Sequence, residues 1–329
     1  MRAHLHVAPT VFSSRRAVIV IASILILLLG ESFSRSAETG AVTDKLRIFF
    51  SQRVMLELKD NDARAAVKAW TQMVFNENEI KAEAQTMIGN LDDVIAGFHD
   101  GSIDGASLPT DEYFSLTEKV ETGLLYFPLH GTDPNEEFLL LTHRDSAITN
   151  LAGLRGGKMT VLTHHRMNLA EIWLNVSLAK EAHPTTEMFF GNVRRETKSA
   201  NVVLPVFFRK ADACLISRRG FDLMTELNPQ VGARLRVLAV SPKLVPTLLC
   251  FNPRANSIYA ERARKAIREL HHTVYGQQIL TTFQLDRLVE GGPEWLESAR
   301  ALMKEYARWC PPIAKAKEPA MSLSARDNP

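Results

Sequence analysis

The chain has 329 residues, 46% of them hydrophobic, enough for a large buried core and, by length, about two domains. Its formal charge is +2, but four arginines and one acid precede Glu38, so the remainder carries −1. A body so close to neutral argues against nucleic acid as the main partner.

Taken in order, Arg15-Arg16 lead into an unbroken weakly polar-to-apolar run from Ala17 to Gly30, then ESFSRSAETG. The run is shorter than the ~20 residues a spanning helix needs, and small residues follow near Ser34–Ala37. This is the pattern of a cleaved export signal over 1–37, with an uncleaved anchor as the alternative. No cysteine follows the run, so a lipid attachment site is not expected. Cys214, Cys250 and Cys310 fit neither a disulfide framework nor metal spacing. Cys214 and Cys250 fall in strand-like runs and read as buried small hydrophobes, a bridge between them being the alternative.

Leu46–Phe50 reads as a strand, and a helix follows after Asn61-Asp62 with Ala66, Trp70 and Met73–Val74 at helical spacing. A second pass gives a helix carrying Leu91, Val94, Ile95 and Phe98 on one face, a glycine stop at Gly101, and a strand near Ile103–Leu108. It ends in the polar loop PTDEYF. Phe138–Leu141 is an apolar strand, after which Asp145-Ser146 turns the chain into the short segment ITNLAGL. Met159–Leu162 is the next strand, and THHRMN leads into an amphipathic helix. VVLPVFFRKADACLIS repeats the earlier unit: with Asp104 aligned on Asp212, both read helix, polar break, Asp, short strand, polar loop. Leu235–Val240, a proline-rich break at Pro242–Pro246, the strand PTLLCFNP and two amphipathic helices complete the body. The tail from Pro311 is polar and is expected to be disordered.

Alternation of strands and helices predicts an α/β fold of two lobes, each a mostly parallel sheet flanked by helices. Breaks near His143–Ser146 and Pro242–Pro246 read as two hinge strands. They predict a first lobe from 44–143 and 245–310, and a second from 144–244.

Ligands of open α/β sheets bind beyond the carboxyl ends of strands, where helix N-termini point. Three loops qualify. Thr163, His164, His165, Arg166 and Asn168 stand before a helix that opens with an Asn168-x-x-Glu171 capping pattern, a cradle suited to an anion. An ordinary capped helix with a solvated basic loop is the alternative. Ser217 and Arg218 leave a strand end, where an arginine grips a carboxylate or phosphate with paired hydrogen bonds, unless it is a plain surface arginine. Thr110 and Tyr113 hold the equivalent place in the other lobe, with Ser51 and Gln52 as weaker additions. Asp100-x-Ser102-x-Asp104-Gly105 imitates a calcium loop, but Leu108-Pro109 interrupts it and no glutamate closes it. The pairs His164-His165 and His271-His272 lack zinc spacing. No dinucleotide, P-loop or nucleophile-elbow motif occurs, so no cofactor, no metal and no catalytic residue is expected.

DGSIDGASLPTDEYF, HRDSAITNLAGLRGGK, FFRKADACLIS and RLRVLAVSPKLVPTLLCFNP, in this order, resemble the phosphate/phosphonate-binding (PhnD-like) substrate-binding proteins of ABC transporters. The resemblance covers most of residues 45–309. It implies a two-lobed type II periplasmic-binding-protein fold, a ligand closed between the lobes, and delivery to a membrane permease. Tyr113 matches a tyrosine usual in that family. Where phosphonate binders carry a Ser/Thr- and Gly-rich loop, this chain has THHRMN. The expectation is therefore a non-enzymatic periplasmic protein that captures a small anion, phosphate/phosphonate-like or a carboxylate. A module signalling to a membrane sensor is the alternative, and an enzyme on the same fold a third.

Overall fold

The computed structural model describes residues 45–310 except 57–67, 70, 74, 77–78, 80–82 and 256. The expected export signal, the tail from Pro311, and Ala66, Trp70 and Val74 of the first expected helix lie outside the described residues. No described helix is long and apolar enough to cross a membrane.

Two sheets organise the body. β1 (Lys45–Ser51) pairs in parallel with β2 (Glu83–Gly89) and β3 (Gly105–Pro109). Between β2 and β3 runs α1 (Leu91–Asp100), whose N-terminus is closed by reciprocal bonds between Asn90 and Asp93. Gly101 ends it in the left-handed region at φ 75°, where a residue without Cβ is favoured. α2 (Thr110–Thr117) follows β3 directly. β4 (Leu125–Leu129) completes the N-terminal part of this sheet.

The second sheet contains β5 (Phe138–His143), β6 (Lys158–Leu162), β7 (Asn192–Glu196), β8 (Ala213–Ser217) and β9 (Leu235–Val240), in the order β7-β6-β8-β5-β9. Its helices include α3 (Ala170–Lys180), α4 (Ser199–Phe207) and α5 (Arg218–Leu227). β10 (Thr247–Phe251) and β11 (Arg287–Gly291) return to the first sheet, giving β11-β4-β10-β3-β1-β2. The two-lobed α/β architecture is the expected one, but the sheets are mixed: β1–β2, β1–β3, β6–β7 and β6–β8 are parallel, while β10, β11, β5 and β9 all pair antiparallel.

The lobe boundaries differ from the expected ones in two places. β5 lies between β8 and β9 in the five-stranded sheet, buried along its whole length, so the first crossing precedes it. The chain crosses over residues 130–137, not at His143–Ser146. It recrosses between Val240 and Thr247, and the two crossings pair: Glu136 N–H donates to Leu244 C=O at 2.8 Å, and Leu244 N–H to Glu136 C=O at 2.9 Å. The second difference is α8 (Glu297–Trp309), expected within the first lobe. It packs on α3 of the second lobe as well as on α2 of the first, with Lys180 Nζ 2.7 Å from Glu305. Between β10 and α8 lie α6 (Ser257–Glu269) and α7 (Val274–Thr282).

One large core runs from Phe49, Val94 and Leu108 through Phe138–Leu141 to Leu174 and Leu215. A smaller one, with Leu46, Phe75, Tyr126 and Phe251, occupies the other face of the six-stranded sheet under α6. Cys214 and Cys250 are free and buried, and burial pushes both thiols above their ordinary range, Cys250 to about 12.

Candidate functional site

The carboxyl ends of β1, β3, β6 and β8 carry the turns that face the crossings. After β1, Ser51 caps the turn Gln52–Val54, its hydroxyl accepting from Arg53 N–H at 3.2 Å. That turn lies against the turn His165–Met167 of the other lobe. The Arg53 guanidinium reaches Asp111 Oδ2 at 2.6 Å and Glu112 Oε1 at 3.4 Å, at the start of α2. Burial raises the Glu112 carboxyl above its usual range, opposed by the Ser51 hydroxyl and Arg53. Asp111 Oδ1 and Glu112 Oε2 are buried without a hydrogen-bond partner among the described residues.

The loop after β6 folds as a 3-10 turn, its N-terminus capped by His164, whose Nδ1 accepts from Arg166 N–H at 3.2 Å. The His164 and His165 rings stack at 4.3 Å between centroids. Arg166 is buried and forms an ion pair with Glu136 on the first crossing, their side chains 9% and 4% exposed. Asn168 donates its side-chain amide to His165 C=O, and Thr163 N–H donates to Glu196 C=O at 2.8 Å. After β8, Ser217 Oγ caps α5 by accepting from Gly220 N–H at 3.1 Å. Arg218 pairs with Glu137, and its own N–H donates to Glu137 C=O at 2.8 Å.

The expected site residues thus separate into groups. His164, His165 and Arg166 come together beside the first crossing, and Arg218 reaches its neighbouring glutamate. Thr110 is fully buried and spends both polar groups on the second crossing: its hydroxyl donates to Val245 C=O at 2.7 Å and its N–H to Pro246 C=O at 3.0 Å. Tyr113 does not reach the cleft. It sits one turn into α2 on the face shared with Phe114 and Leu116, in the core, with its hydroxyl 3.2 Å from Thr122. Thr163, Asn168 and Ser217 serve local backbone geometry.

Sequence reasoning missed Arg53, His130, Glu136 and Glu137. The two glutamates stand in DPNEE, immediately before β5; placing the crossing after that strand hid them. His130, on the first crossing, has Nε2 buried without a partner among the described residues. Burial, then the fields of Arg166, Arg219, His165 and His164, push its pKa down to about 2. The carboxylates of Glu136 and Glu137 hold Arg166 and Arg218 in place beside it along the first crossing.

The family model for the periplasmic phosphonate substrate-binding protein of ABC transporters matches residues 57–296. No curated protein matches this sequence. Solved structures share the fold. The binding-protein component of an ABC phosphonate transporter from Pseudomonas aeruginosa is 12% identical, over 81% of this chain and 87% of that one, with a TM-score of 0.56. PhnD1 from Prochlorococcus marinus, solved with methylphosphonate, is 11% identical over 80% and 98%, with a TM-score of 0.54. A Xanthomonas citri protein solved with ATP is 14% identical over 81% and 98%, with a TM-score of 0.57. At such identities the likeness to each concerns the fold.

Proposed function

The chain belongs to the family of periplasmic substrate-binding proteins of phosphonate ABC transporters, and from that premise we propose that its cleft captures a small anion for uptake. The family is one of transport proteins rather than enzymes. The observation that carries the anionic reading is the turn His165–Met167 of one lobe, where His164 and His165 stack beside the buried Arg166, lying against the turn Gln52–Val54 of the other lobe, which carries Arg53. An anion entering there meets donor N–H groups in a partly desolvated site, where charge–charge attraction is stronger than in water. Glu136 and Glu137 keep Arg166 and Arg218 oriented before it arrives, which lowers the entropic cost of ordering them on binding.

The two paired crossings give the mechanism. Rotation about a few backbone torsions of these segments moves one lobe against the other. A ligand that touches Arg53 on one side and the His165–Met167 turn on the other binds the closed arrangement better than the open one, and so favours closure. The closed form is the natural signal for a membrane permease.

Isothermal titration of the full chain with methylphosphonate, inorganic phosphate and acetate tests the reading. Saturable binding of at least one, lost in Arg166→Gln, is expected. A bound anion at 100 times its dissociation constant also adds about 2.7 kcal/mol to stability. Absence of heat and of thermal shift with all three refutes the proposal.

A further inference from the structure

α8 links the lobes in addition to the two crossings. β11 ends at Gly291, and Gly292 opens the turn Pro293–Leu296 that leads into α8. This root is fixed to the six-stranded lobe: Leu296 is fully buried, and the Trp295 ring lies 5.1 Å from that of Phe127 on β4. Further along, the Arg300 guanidinium lies 4.7 Å from the Phe114 ring of α2. The helix also packs against α3 of the five-stranded lobe, with Lys180 Nζ 2.7 Å from Glu305 Oε1. Ala299 and Leu302 are buried, and Met303 and Tyr306 pack beside them, at spacings that form one apolar stripe.

The sequence of α3 calls for this cover. Ala170, Trp173, Leu174, Val176 and Leu178 are all buried. At roughly 3.6 residues per turn they occupy more than half of the helix circumference, so α3 has apolar surface beyond the side that faces its own sheet. α8 packs on α3 more extensively than on α2.

The two grips differ in kind. Separating α8 from α3 exposes buried apolar side chains, at a cost proportional to their area. Sliding α8 over α2 moves a guanidinium across a ring face, and that attraction persists within about 6 Å of the ring centre. Lobe motion has to shear one of these contacts, and the second yields more easily. The root can follow. Gly292 is extended, at φ −98° and ψ 174°, and the nearest atoms a Cβ there would meet belong to the movable carboxylate end of Glu294. A residue without Cβ leaves the backbone free to swivel at this point.

We propose that α8 travels with the five-stranded lobe: it swivels at Gly292, slides over α2, and by its hold on α3 limits how far the cleft opens. The two crossings set the axis of the motion, and α8 sets its amplitude. The device acts with or without a ligand, so it does not depend on what the cleft takes.

Pulsed spin-resonance distances in the full chain, without ligand, test this. Labels are placed two at a time through Asp92→Cys in α1, Lys210→Cys in the five-stranded lobe and Ala307→Cys in α8, all at exposed positions, with Cys310→Ser removing a competing thiol; Cys214 and Cys250 are buried. The distance between positions 92 and 210 and that between 92 and 307 are expected to spread alike, and the distance between 210 and 307 to stay narrow. Leu302→Ala, which thins the stripe against α3, is expected to broaden the distribution between positions 92 and 210 and shift it to longer distances. Glu305→Lys, at a solvent-accessible ion pair, gives the same readout if the first variant does not fold. A narrow distribution between 92 and 307 with a broad one between 210 and 307 overturns the proposal, because α8 then travels with the six-stranded lobe. A lobe-to-lobe distribution unchanged in both variants overturns it as well.

Discussion

Asp104 and Asp212 make the same pair of bonds in the two lobes. Asp104 Oδ2 accepts from Arg47 N–H at 2.7 Å, and Asp104 N–H donates back to Arg47 C=O at 2.9 Å. Asp212 Oδ2 accepts from Lys158 N–H at 2.7 Å, and its own N–H donates to Lys158 C=O at 2.8 Å. Each aspartate thereby ties the entry of one strand to its parallel neighbour, β3 to β1 and β8 to β6. The equivalence continues along the chain. Thr110 and Arg218 are each the first residue of the following helix, and each donates its N–H to a crossing, at Pro246 and Glu137. The lobes are two copies of one device, each anchored to one hinge segment.

The two anchors differ in surroundings, which sets the size of their loss. Asp104 is buried and also holds the Arg47 guanidinium, at 3.0 Å. Asp104→Ala is expected to cost about 2–4 kcal/mol, since it orphans a backbone donor and a half-buried cation. Asp212 is exposed, so water replaces much of what Asp212→Ala removes, and about 1 kcal/mol is expected. Urea denaturation of the two variants measures both; equal losses would contradict the burial argument.

Much of this repeat was legible in the sequence. The Asp104–Asp212 alignment follows, with one gap allowed, from the shared order of apolar helix, polar break, Asp, short strand and polar loop. The first hinge was not legible. Phe138–Leu141 followed by a charged turn reads as a strand ending at a boundary, and only its pairing with β8 and β9 shows which sheet owns it. The repeat puts Tyr113 in the place of Ser217 and Arg218, but the helix starts at Thr110, and its periodicity turns the ring to the core. The bridging role of α8 depends on tertiary packing against α3, which no local pattern encodes.

Thr110 is a test of the hinge rather than of the ligand. Thr110→Val keeps its shape, removes the hydroxyl, and leaves Val245 C=O without that donor in a buried place. A loss of about 1–2 kcal/mol is expected, with Thr110→Ser recovering most of it. Small-angle scattering of the Val variant should also show a more open average separation of the lobes. Unchanged stability would mean that the hydroxyl bond is replaced at no cost.

His130 should leave a mark on the acid limb of stability. Its folded pKa of about 2 lies below the ordinary 6.5 because burial and four basic neighbours oppose protonation. The unfolded chain takes up this proton as pH falls through 6.5, and the folded chain does not until about pH 2. Its contribution is therefore complete above pH 6.5 and declines progressively between 6.5 and 2. His143, which is also lowered mainly by burial, acts in the same direction in every variant. In His130→Asn, melting temperature should fall less steeply over that range than in the parent. Superimposable acid limbs would remove His130 from the account.

Arg166 and Glu136 separate stability from binding. Arg166→Gln leaves a carboxylate buried without its cation, and a loss of about 3–5 kcal/mol is expected. Glu136→Gln removes the acid that repels an incoming anion and retains the guanidinium. Anion affinity should then rise about tenfold, as expected for one like charge at partly screened distance. The double variant removes both charges at once, so its stability should return most of the way to the parent while anion binding stays weak. Such a pattern is a coupling between two contacting groups, measurable by a double-mutant cycle in denaturation and titration together. If the double variant binds anions as well as the parent, Arg166 orients the crossing only, and the anion is held by other cleft residues.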